Sequence, residues 1–176
     1  MGLLEVKKEL KKLDQPKLIE LIGDLYKKNS SVKEFFDFYI QPNEEALFKK
    51  YHTKVLEAFY PKRGYQFRLK DGKQAISDFK KLDPSPALVA DLQLFYVETG
   101  IRYTNDFGDI EESFYTSLEN TYHAALTLMK KEKLLPKFAD RAAKAVHDTS
   151  GIGWGFHDTL GEYFLEFYKK EVRSGY

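Results

Sequence analysis

The chain has 176 residues, a formal net charge of +1 and no cysteine. Its length fits one domain, and its composition excludes a disulfide framework, a thiolate metal site and a thiol nucleophile. No apolar run approaches the ~20 residues of a transmembrane helix. The opening MGLLEVKKELKKL alternates apolar and charged residues where a signal peptide needs an unbroken apolar stretch, and Val6 stands where the myristoylation pattern needs Ser or Thr. A cytoplasmic protein with no membrane partner is expected.

Helical periodicity with clear punctuation runs nearly end to end. Residues 3–13 read as a first helix with Leu3, Val6, Leu10 and Leu13 on one face. Asp14 is the expected N-cap of a second, with Pro16 in the first turn, where its missing N–H costs nothing. That helix carries Leu18, Leu21, Ile22 and Leu25 and stops near Asn29. Ser31 and Glu34 have capping-box spacing for a short third helix rich in Phe35, Phe36, Phe38 and Tyr39. Pro42 ends it, and Asn43-Glu44-Glu45 starts a fourth, whose buried positions are Leu47, Phe48, Tyr51, Val55, Leu56 and Phe59, up to Pro61.

In PKRGYQFRLKDG, residues 61–72, Tyr65, Phe67 and Leu69 alternate with Gln66, Arg68 and Lys70. The alternation is strand-like, but a lone strand has no pairing partner here, so a loop or helix extension is expected. A helix over about 72–82 follows, and Asp83-Pro-Ser-Pro86 breaks the chain before the next. Residues 86–104 are apolar on most sides, as in a central, buried helix. Asp109 and Glu112 have capping-box spacing after Gly108, opening a long helix to about residue 132. Pro136 opens another, and a last helix starts near Asp158 with Leu160, Tyr163, Phe164, Phe167 and Tyr168. The sum is an all-α single domain of about nine helices, as a bundle or a short right-handed stack of helical hairpins. No repeat period supports the stack.

Charge is segregated along the chain. Residues 49–82 hold ten Lys or Arg against three Asp or Glu, and residues 83–123 hold one (Arg102) against eight. Adjacent segments of opposite sign can neutralise each other across packed helices or steer a charged partner to one face. The 14 Phe and 12 Tyr suit a groove or the seams between helices.

The most informative segment is DTSGIGWGFHD, residues 148–158. Gly151, Gly153 and Gly155 surround the only tryptophan, Trp154, and a His-Asp pair stands at each end, His147-Asp148 and His157-Asp158. Imidazoles and carboxylates that converge can hold a divalent metal, with His123 as a further donor. Each residue also has a structural use. Asp158 could N-cap the last helix, His147 suits the negative end of the preceding one, Gly151 could terminate that helix, and the flanking glycines would let Trp154 fold back onto an apolar surface. Glu112, Thr116, Glu119 and His123 form a polar stripe on one helix. It differs from the di-iron Glu-x-x-His pattern in spacing and lacks a second copy, so a solvated face is the better account. Glu98 and Arg102, four apart on the most apolar helix, read as an ion pair, or as an anion-binding arginine in a groove. Lys62, Arg63, Arg68, Lys70 and Lys73, interleaved with Tyr65 and Phe67, have the make-up of a nucleic-acid contact, though the near-neutral chain disfavours it. There is no nucleophile elbow, P-loop or dinucleotide fingerprint.

The opening LKKLDQPKLIELIGDLYKKNSSVKEFFDFYIQPNEE, and the later GIGWGFHD before an aromatic terminal helix, resemble an uncharacterised family of small all-helical bacterial proteins known only as a domain of unknown function. The resemblance implies an all-α fold and no established activity. The first two helices also resemble, faintly, the helix pair of SAP-type DNA-binding modules. The leading functional expectation is a non-enzymatic module that binds a protein or peptide along an aromatic, charge-segregated face including Trp154, Tyr65, Arg68, Arg102 and Glu98. The alternatives are a divalent-metal protein or metal-dependent hydrolase at the His147, Asp148, His157 and Asp158 corner, and a nucleic-acid binder at residues 62–73. No cofactor is expected under the leading reading.

Overall fold

A computed structural model of the chain describes residues 1–64 and 66–169, and among these it contains nine α-helices and no strand. The helices gather into two units, Met1–Asn43 and Glu44–Tyr176.

The first unit contains α1 (Leu3–Leu10), α2 (Gln15–Lys28) and α3 (Ser30–Ile40). Asp14 caps α2 as its sequence predicts, accepting from the Lys17 N–H at 3.0 Å. The cap of α3 is a correction. Asn29, not Ser31, accepts from the Ser31 and Val32 N–H groups at 3.0 and 3.2 Å. A one-residue joint between α2 and α3 leaves Asn29 as the only residue in extended conformation there, and only such a residue can aim its side chain at the new helix. The two helices form a hairpin, closed on its polar side by Tyr26 and Lys33. Both donate to Asp37, at 2.6 Å each. None of the three helices has a buried residue.

The second unit contains α4 (Glu44–Phe59), α5 (Leu69–Lys81), α6 (Pro86–Phe107), α7 (Glu112–Lys131), α8 (Leu135–His147) and α9 (Phe156–Tyr168). As its all-round apolarity predicts, α6 is the central helix, packed against α4, α5, α7 and α8. Leu92, Leu94, Tyr96 and Val97 are inaccessible to solvent. Two glycines permit the closest approaches. A Cβ on Gly72 of α5 would lie 2.8 Å from the Tyr96 ring, and one on Gly100 of α6 would lie 2.5 Å from Leu118 of α7. Residues 66–68 form no strand. The Arg68 N–H donates to the Ala58 carbonyl at 2.6 Å, which anchors the loop on α4, and α5 begins one turn earlier than its apolar periodicity suggests. The Phe67 ring then packs edge-on against Tyr103 and Phe114, with centroids 5.4 and 5.2 Å away.

Two further helix starts differ from expectation. Glu111 precedes α7 without a side-chain cap, because the Asp109 carboxylate is drawn toward Tyr115 and the glycine segment. Gly155 precedes α9 in the left-handed conformation, which places Asp158 inside the first turn instead of at the cap.

Candidate functional site

The glycine corner joins α8 to α9. After His147 the chain continues through tight turns, with the Thr149 N–H donating to the Val146 carbonyl and the Ser150 N–H to His147. Gly151 then reverses it at φ +84°. Gly151 therefore ends the helical path, but four residues beyond the last residue of α8. Thr149 is inaccessible to solvent and donates to the Val146 carbonyl at 2.6 Å. With that proton committed, its oxygen accepts from Nδ1–H of His157, 2.9 Å away, and the same nitrogen lies 3.2 Å from the Val146 carbonyl. These partners assign the proton to Nδ1 and fold the imidazole back over the end of α8.

The other members of the corner point elsewhere. Asp148 pairs with Lys144 on its own helix, and its carbonyl accepts from the Asn105 amide at 3.1 Å. His147 and Asp158 are exposed at the last turn of α8 and the first turn of α9, where each suits the local helix dipole. His123 lies against Tyr163 and Phe167 on α9, with centroids 4.8 and 5.5 Å away. Among the described residues, no group of three or more His, Asp or Glu gathers to hold a metal ion. The four corner residues and His123 are thus not brought together.

Trp154 does not fold back onto the core. It is 59% exposed and holds φ +62°, a left-handed conformation that costs a residue with a Cβ about 1–2 kcal/mol. Gly153 has the more definite use. A Cβ there would meet an Asp109 oxygen at 2.9 Å, so the absence of one lets the loop after α6 approach. The other oxygen of Asp109 accepts from the buried Tyr115 hydroxyl at 3.2 Å, and the Tyr115 ring lies 5.0 Å from Phe156. The corner is tied to the core through that tyrosine.

A second cluster adjoins a cavity of about 300 Å³ along α6, which Phe95, Glu98 and Arg102 line and which ends at Asp148. Here the ion pair expected between Glu98 and Arg102 is replaced. Glu98 takes a two-pronged contact from Arg141 of α8, at 3.0 and 2.8 Å, and the third nitrogen of that guanidinium donates to Asp91 at 2.7 Å. A planar fork suits two carboxylates two helical turns apart, and these partners, Glu98 foremost, raise the Arg141 pKa further. Arg102 lies instead over the Tyr60 ring, 5.1 Å from its centroid. The Tyr60 hydroxyl donates to Asp106 at 2.6 Å, and burial with that carboxylate pushes its pKa up to about 12. His52 of α4 stacks on Phe95 with centroids 3.5 Å apart, and burial lowers its pKa. Arg141 and His52 escape the sequence reading because their partners lie on other helices. The available signal was position: Arg141 follows Phe138 by three and precedes Ala145 by four, at the edge of the buried face of α8.

In the loop before α5, two of the basic residues are engaged within the chain. Lys62 pairs with Glu57 at 2.7 Å and Arg68 with Asp71 at 3.1 Å, while Phe67 is committed to the aromatic cluster. Tyr65 lies outside the described residues. No helix among the described residues is long and apolar enough to cross a membrane.

No curated protein and no solved structure matches the chain. A family model described as a family of unknown function (DUF6155) matches residues 1–167. With nearly the whole chain under that match, and an all-α fold as its sequence implies, the protein belongs to this family of unknown function.

Proposed function

We propose that the protein is a non-enzymatic interaction module whose first unit docks onto a helical protein surface. One observation carries this reading: no residue of Met1–Asn43 is buried, although its helices carry apolar stripes. Ile19, Ile22, Leu25, Phe35 and Tyr39 are 62, 41, 47, 39 and 72% exposed. A unit of about 40 residues without a core, disulfide or metal does not stabilise itself, and burying such a face against a partner supplies the missing apolar contact. Leu18, Leu21, Ile22 and Leu25 recur at helical spacing, which fits ridges of another helix.

Charge selects among partners. Residues 1–43 hold eight lysines against seven acidic residues. That balance offers no net attraction to nucleic acid or to an anionic membrane, and it leaves a protein face, of another chain or a second copy, as the fitting occupant.

A photo-crosslinking benzoylphenylalanine at Tyr39 of the full chain tests the proposal, in cells and with purified protein. The expected result is one discrete protein adduct that maps to an apolar helical segment. The Ile19→Lys/Leu25→Lys variant should lose it while keeping its circular dichroism. No adduct in either setting, or an adduct insensitive to those substitutions, refutes the reading.

A further inference from the structure

We propose that a polar cavity between α5 and α7, floored by α6, binds a small phosphorylated polyol, its phosphate on two lysines and a hydroxyl on Gln93. The cavity measures about 260 Å³, room for a ligand of a few carbon atoms and a phosphate. Lys73, Ser77 and Lys80 reach it from α5, Gln93 from α6, and Asn120 and Thr121 from α7.

The floor carries the argument. Gln93 sits between two inaccessible leucines, Leu92 and Leu94, and is 3% exposed. Its Oε1 is the one buried side-chain oxygen or nitrogen among the described residues without a hydrogen-bond partner. A buried carbonyl oxygen left unpaired is destabilising, and such atoms are rare in native structures. An acceptor kept there at a cost to the fold is explained by a donor that arrives with a ligand.

The walls supply the other half. Lys73, Ser77 and Lys80 lie at i, i+4 and i+7, on one face of α5. Among the described residues neither ammonium is engaged in an ion pair, and no carboxylate lines the cavity. Two free cations without a counter-ion in the lining fit a group of charge near −2.

Two other cavities differ in this respect. Along α6, Glu98 is held by Arg141 and Asp148 by Lys144. Between α4 and α5, Arg68 is paired with Asp71 and Asp78 with Lys81. Most of their charged groups are paired, whereas neither lysine of the Gln93 cavity is in an ion pair among the described residues.

Glycerol 3-phosphate, inorganic phosphate and glycerol, each titrated into the full chain by calorimetry and by thermal melting, separate the two halves. Glycerol 3-phosphate should bind at millimolar concentration or below and raise the melting temperature with concentration. Phosphate alone should bind about tenfold more weakly, for loss of the hydrogen bond to Gln93. Glycerol alone should not bind detectably. Gln93→Leu should equalise glycerol 3-phosphate and phosphate, and should itself melt higher than the unliganded parent because the unpaired acceptor is gone. Lys73→Met/Lys80→Met should abolish binding of both anions and leave the melting temperature of the free protein unchanged. Failure of glycerol 3-phosphate to bind, or binding indifferent to Gln93→Leu, overturns the proposal. The proposed docking through the first unit is independent of either result.

Discussion

Gly100→Ala opposes two effects of known sign, and the geometry decides between them. In a helix interior alanine is favoured over glycine by about 1 kcal/mol. Against this, the new methyl would lie 2.5 and 2.7 Å from the two terminal carbons of Leu118 and 3.2 Å from its branch point, where carbon pairs prefer about 3.5–4.0 Å. Both branches of the leucine are struck, and Leu118 is inaccessible to solvent in an interior that is close-packed. Overpacking of this kind costs about 1–3 kcal/mol. An overlap of about 1 Å on two atoms belongs at the upper end, which leaves a net loss of about 2 kcal/mol, or about 5 °C in melting temperature. Urea denaturation followed at 222 nm measures it. Leu118→Ala alone should cost about 2–5 kcal/mol, and the double variant should be more stable than the sum by about 3 kcal/mol, the whole overpacking cost, because the second truncation makes room for the first methyl. A stabilised Gly100→Ala, or additivity in the double variant, would refute the close α6–α7 crossing.

Arg141→Met should lower stability by about 1–2 kcal/mol, read from the urea midpoint. A fully buried pair broken on one side costs about 3–5 kcal/mol, and the 29% and 30% exposure of Asp91 and Glu98 reduces that through solvent screening. Arg141→Lys should recover only part, since an ammonium cannot fork between the two carboxylates, and full recovery would contradict the geometry. His52 should make stability depend on pH. Its folded pKa is lowered by burial, so the unfolded chain takes up the proton first and stability falls as pH drops below about 6.5 toward the folded value. His52→Gln should flatten that part of the profile, and an unchanged slope would remove His52 as its source.

The all-helical class, the order of the helices and the central place of α6 were legible in the residues, because apolar periodicity and proline punctuation are local properties. The Asp14 cap was legible for the same reason: its partner N–H is three residues away. Helix starts went astray where two features competed for one residue. Asn29 outranked Ser31 because a one-residue joint left it the only extended backbone, and Asp109 was lost as a cap to Tyr115, six positions on in sequence but reached only when α7 folds over the loop.

The candidate sites show where local reading ends. The DTSGIGWGFHD segment announced a tight corner, and its glycines do hold positive φ and admit Asp109. Which way His147, Asp148, His157 and Trp154 face depended on what α6 and α8 presented, and no spacing carries that. Glu98 had Arg102 one turn away, yet it is answered by Arg141, distant in sequence, because a planar fork can satisfy Asp91 as well. Gln93 drew no notice as one polar residue within an apolar helix, and only packing decides that its oxygen is left without a donor. The residues determined the elements, since those depend on neighbours three and four positions apart. The partners of charged and polar side chains were decided by tertiary structure alone, because the groups that satisfy them lie on other helices.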